Sequence, residues 1–111
     1  MEIITKQDVV SIVELNGELD NESADQLRAN VEELINDGKI NIILNFKNLS
    51  YSNSAGLREL IALYKLAASK SGNLKLCSLQ PQLEDLFSFT NLKKVFSIFK
   101  SEEEALASFQ N

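Results

Sequence analysis

The densest run of chemically useful side chains is Leu49–Leu57, LSYSNSAGL, where Ser50, Tyr51, Ser52, Asn53 and Ser54 crowd ahead of a helical pattern. A β-rich run leads into it and a helix leads out, so Ser54 falls near a helix N-terminus. Unpaired backbone amides and the positive end of the helix dipole face outward at such a point. A phosphate ester on Ser54 would be well tolerated there and would add roughly −1.5 to −2 charges to one small patch. A hydroxyl that can be charged without unfolding the chain suits an on/off label read by a partner. Ser52, Asn53 and Ser54 also fit the plainer role of helix caps, since each can accept a hydrogen bond from a first-turn amide.

Other chemistries find no footing. There is no His, which removes His-based acid–base catalysis and the usual zinc, copper and haem sites within this chain. One Cys precludes an internal disulfide or a Cys cluster. GxxxxGK[ST], GxGxxG and GxSxG are all absent. The acidic run Glu102-Glu103-Glu104 lies at a helix start, where it complements the macrodipole rather than forming a metal site. The expectation is a protein that is not an enzyme, with no catalytic residue, no cofactor and no metal. A net charge of −5 argues against direct nucleic-acid binding. Charged residues interrupt every long apolar run, so no membrane insertion and no signal peptide are expected, and the expected location is cytoplasmic. Cys77, in the apolar run Leu74–Cys77, reads as a buried, inert thiol.

The elements that must position Ser54 follow from periodicity and punctuation. A length of 111 residues fits one domain, 1–111, large enough for a single core. Residues 1–6 and 9–15 read as a strand pair joined at Gln7-Asp8. Ser23-x-x-Gln26 matches a capping box, and Ala24, Leu27, Val31, Leu34 and Ile35 form one helix face ending at Asp37-Gly38. Ile40–Phe46 reads as a central strand. A helix over about 54–71 is expected to bury Leu57, Leu60, Ile61, Tyr64, Ala67 and Ala68, with Gly72 beyond its end. Residues 73–79 form a strand, Pro81 opens a short helix carrying Leu83, Leu86 and Phe87, and Asn91 is its left-handed cap. Residues 95–99 form a last strand. Ser101-x-x-Glu104 caps a last helix carrying Ala105, Leu106 and Phe109. The order β-β-α-β-α-β-α-β-α implies an α/β fold: a mostly parallel mixed sheet of about five strands and about four helices, with one antiparallel pairing at an edge.

On the helix after Asn53, a rotation of about 100° per residue places Ser54, Arg58, Ala62, Lys65 and Ser69 opposite the core, with Leu66 beside them. This face carries small residues, two cations and an apolar Leu instead of a Glu/Lys mixture. That composition suits docking a partner.

These segments together resemble the STAS domain family, and within it the stand-alone bacterial anti-sigma factor antagonists. Leu15–Asp20, LNGELD, is similar to the family's "GELD" segment, and Ser23-Ala24 follows it at the first helix. Ile42–Phe46 matches the central strand. Asn53-Ser54-Ala55-Gly56-Leu57 resembles the "D-S-[ST]-G-L" motif, and Leu86–Leu92 resembles "L-F-D-x-[ST]-G-L". Glu103-Glu104-Ala105-Leu106 also fits. This chain has Asn53 for the motif's Asp, Ala55 for its second hydroxyl residue and Asn91 for Gly. The resemblance implies a small sheet covered mainly on one side by helices. It implies partner switching: the unphosphorylated protein binds an anti-sigma factor that is also a serine kinase of the histidine-kinase-like ATPase fold. Phosphorylation on Ser54 breaks that complex, and a PP2C-type phosphatase restores it. The partner-binding set becomes Asp20, Asn53, Ser54, Ala55, Gly56, Arg58, Ala62 and Lys65. The alternative is a constitutive, non-phosphorylated STAS subunit of a scaffold or lipid-transport assembly.

Overall fold

In the computed structural model of the protein, residues 2–6 and 10–109 are described. Strand β1 (Glu2–Lys6) pairs antiparallel with β2 (Val10–Leu19). The turn expected at Gln7-Asp8 lies outside the described residues. Helix α1 (Asn21–Asn36), β3 (Asn41–Ser52), α2 (Ser54–Ser69), β4 (Asn73–Cys77), α3 (Pro81–Phe89), a 3-10 turn at Leu92–Lys94, β5 (Ile98–Phe99) and α4 (Glu102–Ser108) follow. The sheet order is β1-β2-β3-β4-β5, and every pairing after the first is parallel. The expected element order and mixed sheet are therefore present.

Parallel strands laid down in chain order dictate the layers. Right-handed crossovers that always step the same way put α1, α2 and α3 on one sheet face. That face holds the main core: Val13, Leu15, Ile42, Leu44, Phe46, Leu74 and Leu76 from strands meet Leu27, Val31, Leu60, Leu63 and Phe87 from helices. Edge-to-face aromatic pairs tie the α3 end down, with Phe46–Phe87 centroids 6.2 Å apart and Tyr64–Phe96 5.3 Å apart. The other face has a smaller core of Val10, Ile12, Ile43 and Cys77 under Ala105 of α4. Burial pushes the Cys77 thiol up to about 11, as expected of an inert thiol.

Several boundaries differ from the sequence reading, each for a local reason. Helix α1 starts earlier because Asp20, not Ser23, is its N-cap: Asp20 accepts from Ser23 N while Ser23 Oγ accepts from Asp20 N. Gly38 adopts the left-handed end at φ 84°, as expected. After α2, however, the left-handed residue is Ser71 at φ 66°. Gly72 is needed instead for close approach, since a Cβ there would lie 2.5 Å from Ile40 Cβ. The last strand is only Ile98–Phe99, because Val95 keeps a right-handed helical conformation at the end of the 3-10 turn over Leu92–Lys94.

The phase of α2 also differs. Gly56, Leu60, Leu63 and Ala67 are its buried residues, and Ala68, expected in the core, is exposed. Leu57, Ile61 and Tyr64 are half-buried on one flank, while Leu66 is half-buried against the core on the other. The buried arc is rotated by roughly 70° from the apolar average of the sequence at 100° per residue. Ser54, Arg58, Ala62, Lys65 and Ser69 are all exposed, so the polar face lies where expected.

Glu59 points sideways at α1. Its side chain is 12% exposed and its carboxylate lies 3.7 Å from Arg28, which also holds Asp25. Burial pushes the Glu59 carboxyl upward, Arg28 draws it back, and Glu32 and Asp25 add to the rise. A carboxyl raised in the folded state holds its proton more tightly there, so stability falls as pH rises through that raised value. Glu59→Gln is expected to melt at or above the parent temperature at pH 7, with the advantage shrinking as pH falls through the carboxylate range. A thermal melt series from pH 7 to pH 4 checks this, and a lower-melting variant at pH 7 would show that the Arg28 pairing outweighs burial.

Candidate functional site

The first three helices all start at the carboxyl edge of the parallel strands, which is where open α/β sheets gather their sites. Strand β3 outruns β4 there: Asn41–Asn45 pair with β4, while Asn48–Ser52 continue only with β2. Register shifts on either side of Asn16-Gly17 twist this two-stranded extension. It ends by delivering Leu19 and Ser52 side by side, each at the threshold of a helix.

Three contacts join the two thresholds, and a fourth caps α2 itself. Asn53 N donates to Leu19 O at 3.0 Å. Asn53 Oδ1 accepts from Gly56 N at 3.0 Å, capping α2. Its Nδ2 donates to Asn21 Oδ1 at 3.1 Å, in the first turn of α1. Gly56 lies against the end of β2, where a Cβ would come 2.8 Å from Leu19 Cγ and 2.9 Å from Leu19 O. Asn53 thus does what the motif's Asp would do as a cap, and its amide also donates to α1.

Asp20 is brought to this edge but is committed to Ser23, whose backbone and side-chain hydrogen bonds hold its carboxyl below the usual range. Ser54 is the first residue of α2, exposed, and its hydroxyl bonds to no described residue. Helix α2 has no acidic residue in its first turn, whereas Glu22, Glu84 and Glu102–Glu104 occupy the first turns of α1, α3 and α4. The positive end of its dipole is therefore uncompensated at Ser54. Ala55 is half-buried and Gly56 buried, so both support the turn. Arg58, Ala62 and Lys65 run outward along the exposed face.

Beside Ser54 lies a feature absent from the sequence reading. An open groove of about 410 Å³ runs between α2 and α3, lined by Tyr51, Ser54, Leu57, Gln82, Leu83 and Leu86 among others. Its wall on the α3 side is held by glutamines: Gln80 Nε2 donates to Lys47 O at 2.9 Å and Gln82 Nε2 to Ser50 O at 3.2 Å. They satisfy carbonyls that β4 is too short to reach. Tyr51, 52% exposed, stands at the rim. The sequence signal for the groove was the excess of apolar residues on α2, with Leu57 and Ile61 beyond the positions the core takes. No group of three or more His, Cys, Asp or Glu among the described residues could hold a metal ion.

Comparison with known proteins agrees with this layout. The family described as "STAS domain" matches residues 2–105. The chain is 33% identical over 102 residues to an anti-sigma F factor antagonist of Paenibacillus polymyxa, covering 91% of this chain and 87% of that protein. A crystal structure of a Thermotoga maritima protein assigned to the anti-sigma factor antagonists superposes with a TM-score of 0.92 at 26% identity, covering 99% and 94% of the two chains. The Bacillus cell fate determinant SpoIIAA in its phosphorylated form gives a TM-score of 0.78 at 25% identity, covering 98% of each chain.

The tight α2–β2 junction is directly testable. Gly56→Ala raises helix propensity but drives a methyl into Leu19 and its carbonyl. Overpacking of this kind costs about 1–3 kcal/mol, so the melting temperature should fall. A variant that melts as high as the parent would show that the junction has slack.

Proposed function

We propose that this chain, which belongs to the STAS domain family, is an anti-sigma factor antagonist that works by partner switching. In this reading residues 1–111 are one STAS domain acting in the cytoplasm, without catalytic activity of its own. Unphosphorylated, it binds an anti-sigma factor that is also a serine kinase of the histidine-kinase-like ATPase fold. The kinase transfers the γ-phosphoryl group of ATP to the Ser54 hydroxyl, which loses its proton, and ADP leaves. The phosphorylated protein dissociates, and a PP2C-type phosphatase hydrolyses the ester to return it to the binding form.

One observation carries the reading: the motif serine is exposed, free of hydrogen bonds to described residues, and seated on a helix end with no compensating acid. A dianion there is stabilised by about 0.3–1 kcal/mol through the helix dipole, so modification need not disturb the fold. The names of its relatives support the same role, and SpoIIAA is a family member with a phosphorylated form. No helix of the described residues is long and apolar enough to cross a membrane.

The test is incubation with the anti-sigma kinase of the same genome and ATP, followed by mapping of the phosphate by mass spectrometry. Phosphate on Ser54 alone, with an unchanged circular dichroism spectrum, is expected. Phosphate on Ser50 or Ser52 instead would remove Ser54 from this role. A partner that binds but never phosphorylates the chain would favour the constitutive scaffold subunit.

The docking face is tested separately. Ala62 is exposed between Arg58 and Lys65, so Ala62→Arg should leave the melting temperature nearly unchanged. It should weaken the complex tenfold or more, about 1.4 kcal/mol, by isothermal titration calorimetry. Parental affinity would reject this face.

A further inference from the structure

Arg58 is the one residue on the exposed α2 face placed to meet both states of Ser54. It sits four positions after Ser54, so the two side chains are neighbours on adjacent turns, with Cβ atoms about 5–6 Å apart. Helical side chains lean toward the helix N-terminus, which brings the long Arg58 side chain back over the turn that carries Ser54. Both residues are exposed, and Arg58 has no ion pair among the described residues. Its adjacent acid, Glu59, is turned away into the α1 interface and held by Arg28. The neighbouring Asp20 is engaged by its own cap with Ser23. Lys65 shares the face but lies eleven positions on, about three turns away.

We propose that Arg58 captures the phosphate of phosphorylated Ser54. The proposal rests on the phosphorylation reading above and extends it to a second residue. In the unmodified chain Arg58 is a cation paired with no described residue on the docking face, complementary to a carboxylate presented by the partner. In the modified chain the guanidinium fork closes on phosphate oxygens, the geometry for which Arg is suited. Phosphorylation then does two things at once: it adds negative charge at Ser54 and withdraws the cation that a partner carboxylate would meet.

The test does not need the kinase. Phosphoserine is placed at position 54 of the full chain by genetic encoding, and the second phosphate ionisation is followed by phosphorus NMR against pH at low salt. The midpoint of the parent is expected about 0.15–0.4 pH below that of Arg58→Gln. Arg58→Lys is expected between the two and Lys65→Gln at the parent value. The helix dipole acts equally on all four, so the difference isolates the side chain. A parental midpoint in Arg58→Gln, or a shift carried by Lys65→Gln, overturns the proposal. Failure of the kinase to modify Ser54 would end the functional reading while leaving this pairing intact, because encoded phosphoserine bypasses the kinase.

Discussion

Strand order governs nearly everything else in this fold. Five strands laid side by side in chain order, four of them parallel, oblige each right-handed crossover to land on the same sheet face. Three helices then share one surface, with α2 packed against α1 and an open groove left between α2 and α3. All three begin at the same edge of the sheet. The opposite face is left to α4, which follows the last strand and owes nothing to a crossover. A site built from several helix starts is thus a consequence of topology before any particular side chain is considered.

What turns that shared edge into one site is the overrun of β2 and β3 beyond β4. The overrun presents Leu19 and Ser52 together, and Asn53 and Gly56 then join the two helix starts through Leu19 O and Asn21. It also strands the carbonyls of Lys47 and Ser50 without a sheet partner. Gln80 and Gln82 satisfy them and in doing so build one side of the groove. The groove floor of Leu57, Leu83 and Leu86 is left open by the other described residues. Rigid backbone, a free hydroxyl and an apolar recess therefore sit within a few residues of one another.

Much of this was legible from residue order. The apolar period of α1, Gly38 at its end, Pro81 opening α3 and the left-handed Asn91 all behaved as local chemistry dictates. So did the placement of Ser54 at a helix start with Arg58, Ala62 and Lys65 on its open face. The α2 phase was not legible, for a reason that is informative. Averaging apolar positions weights Leu57, Ile61 and Tyr64, yet these lie on the flank facing the groove, while Leu63 takes the core position instead of Ala68. A helix with an apolar flank beyond its core looks misaligned in sequence. The Asn53–Asn21 bond and the glutamine wall were hidden as well, because they join residues about thirty positions apart whose meeting depends on register.

The free energies of the two states explain how one phosphate could switch binding without touching the fold. In the free protein a dianion on Ser54 would keep most of its water, even beside Arg58, and would gain about 0.3–1 kcal/mol from the uncompensated helix end. In a complex that covers the same residue, the phosphate must shed water or be matched by cations. Removing an ion from water costs several kcal/mol even after relaxation. The unmodified serine makes no such demand, and the recess of Leu57, Leu83 and Leu86 beside it rewards an apolar side chain by about 1.5–3 kcal/mol for a residue of leucine size. The same small area therefore favours contact when neutral and hydration when charged. The site needs no moving part for this, which fits a helix start pinned on one side by Gly56 and on the other by Asn53.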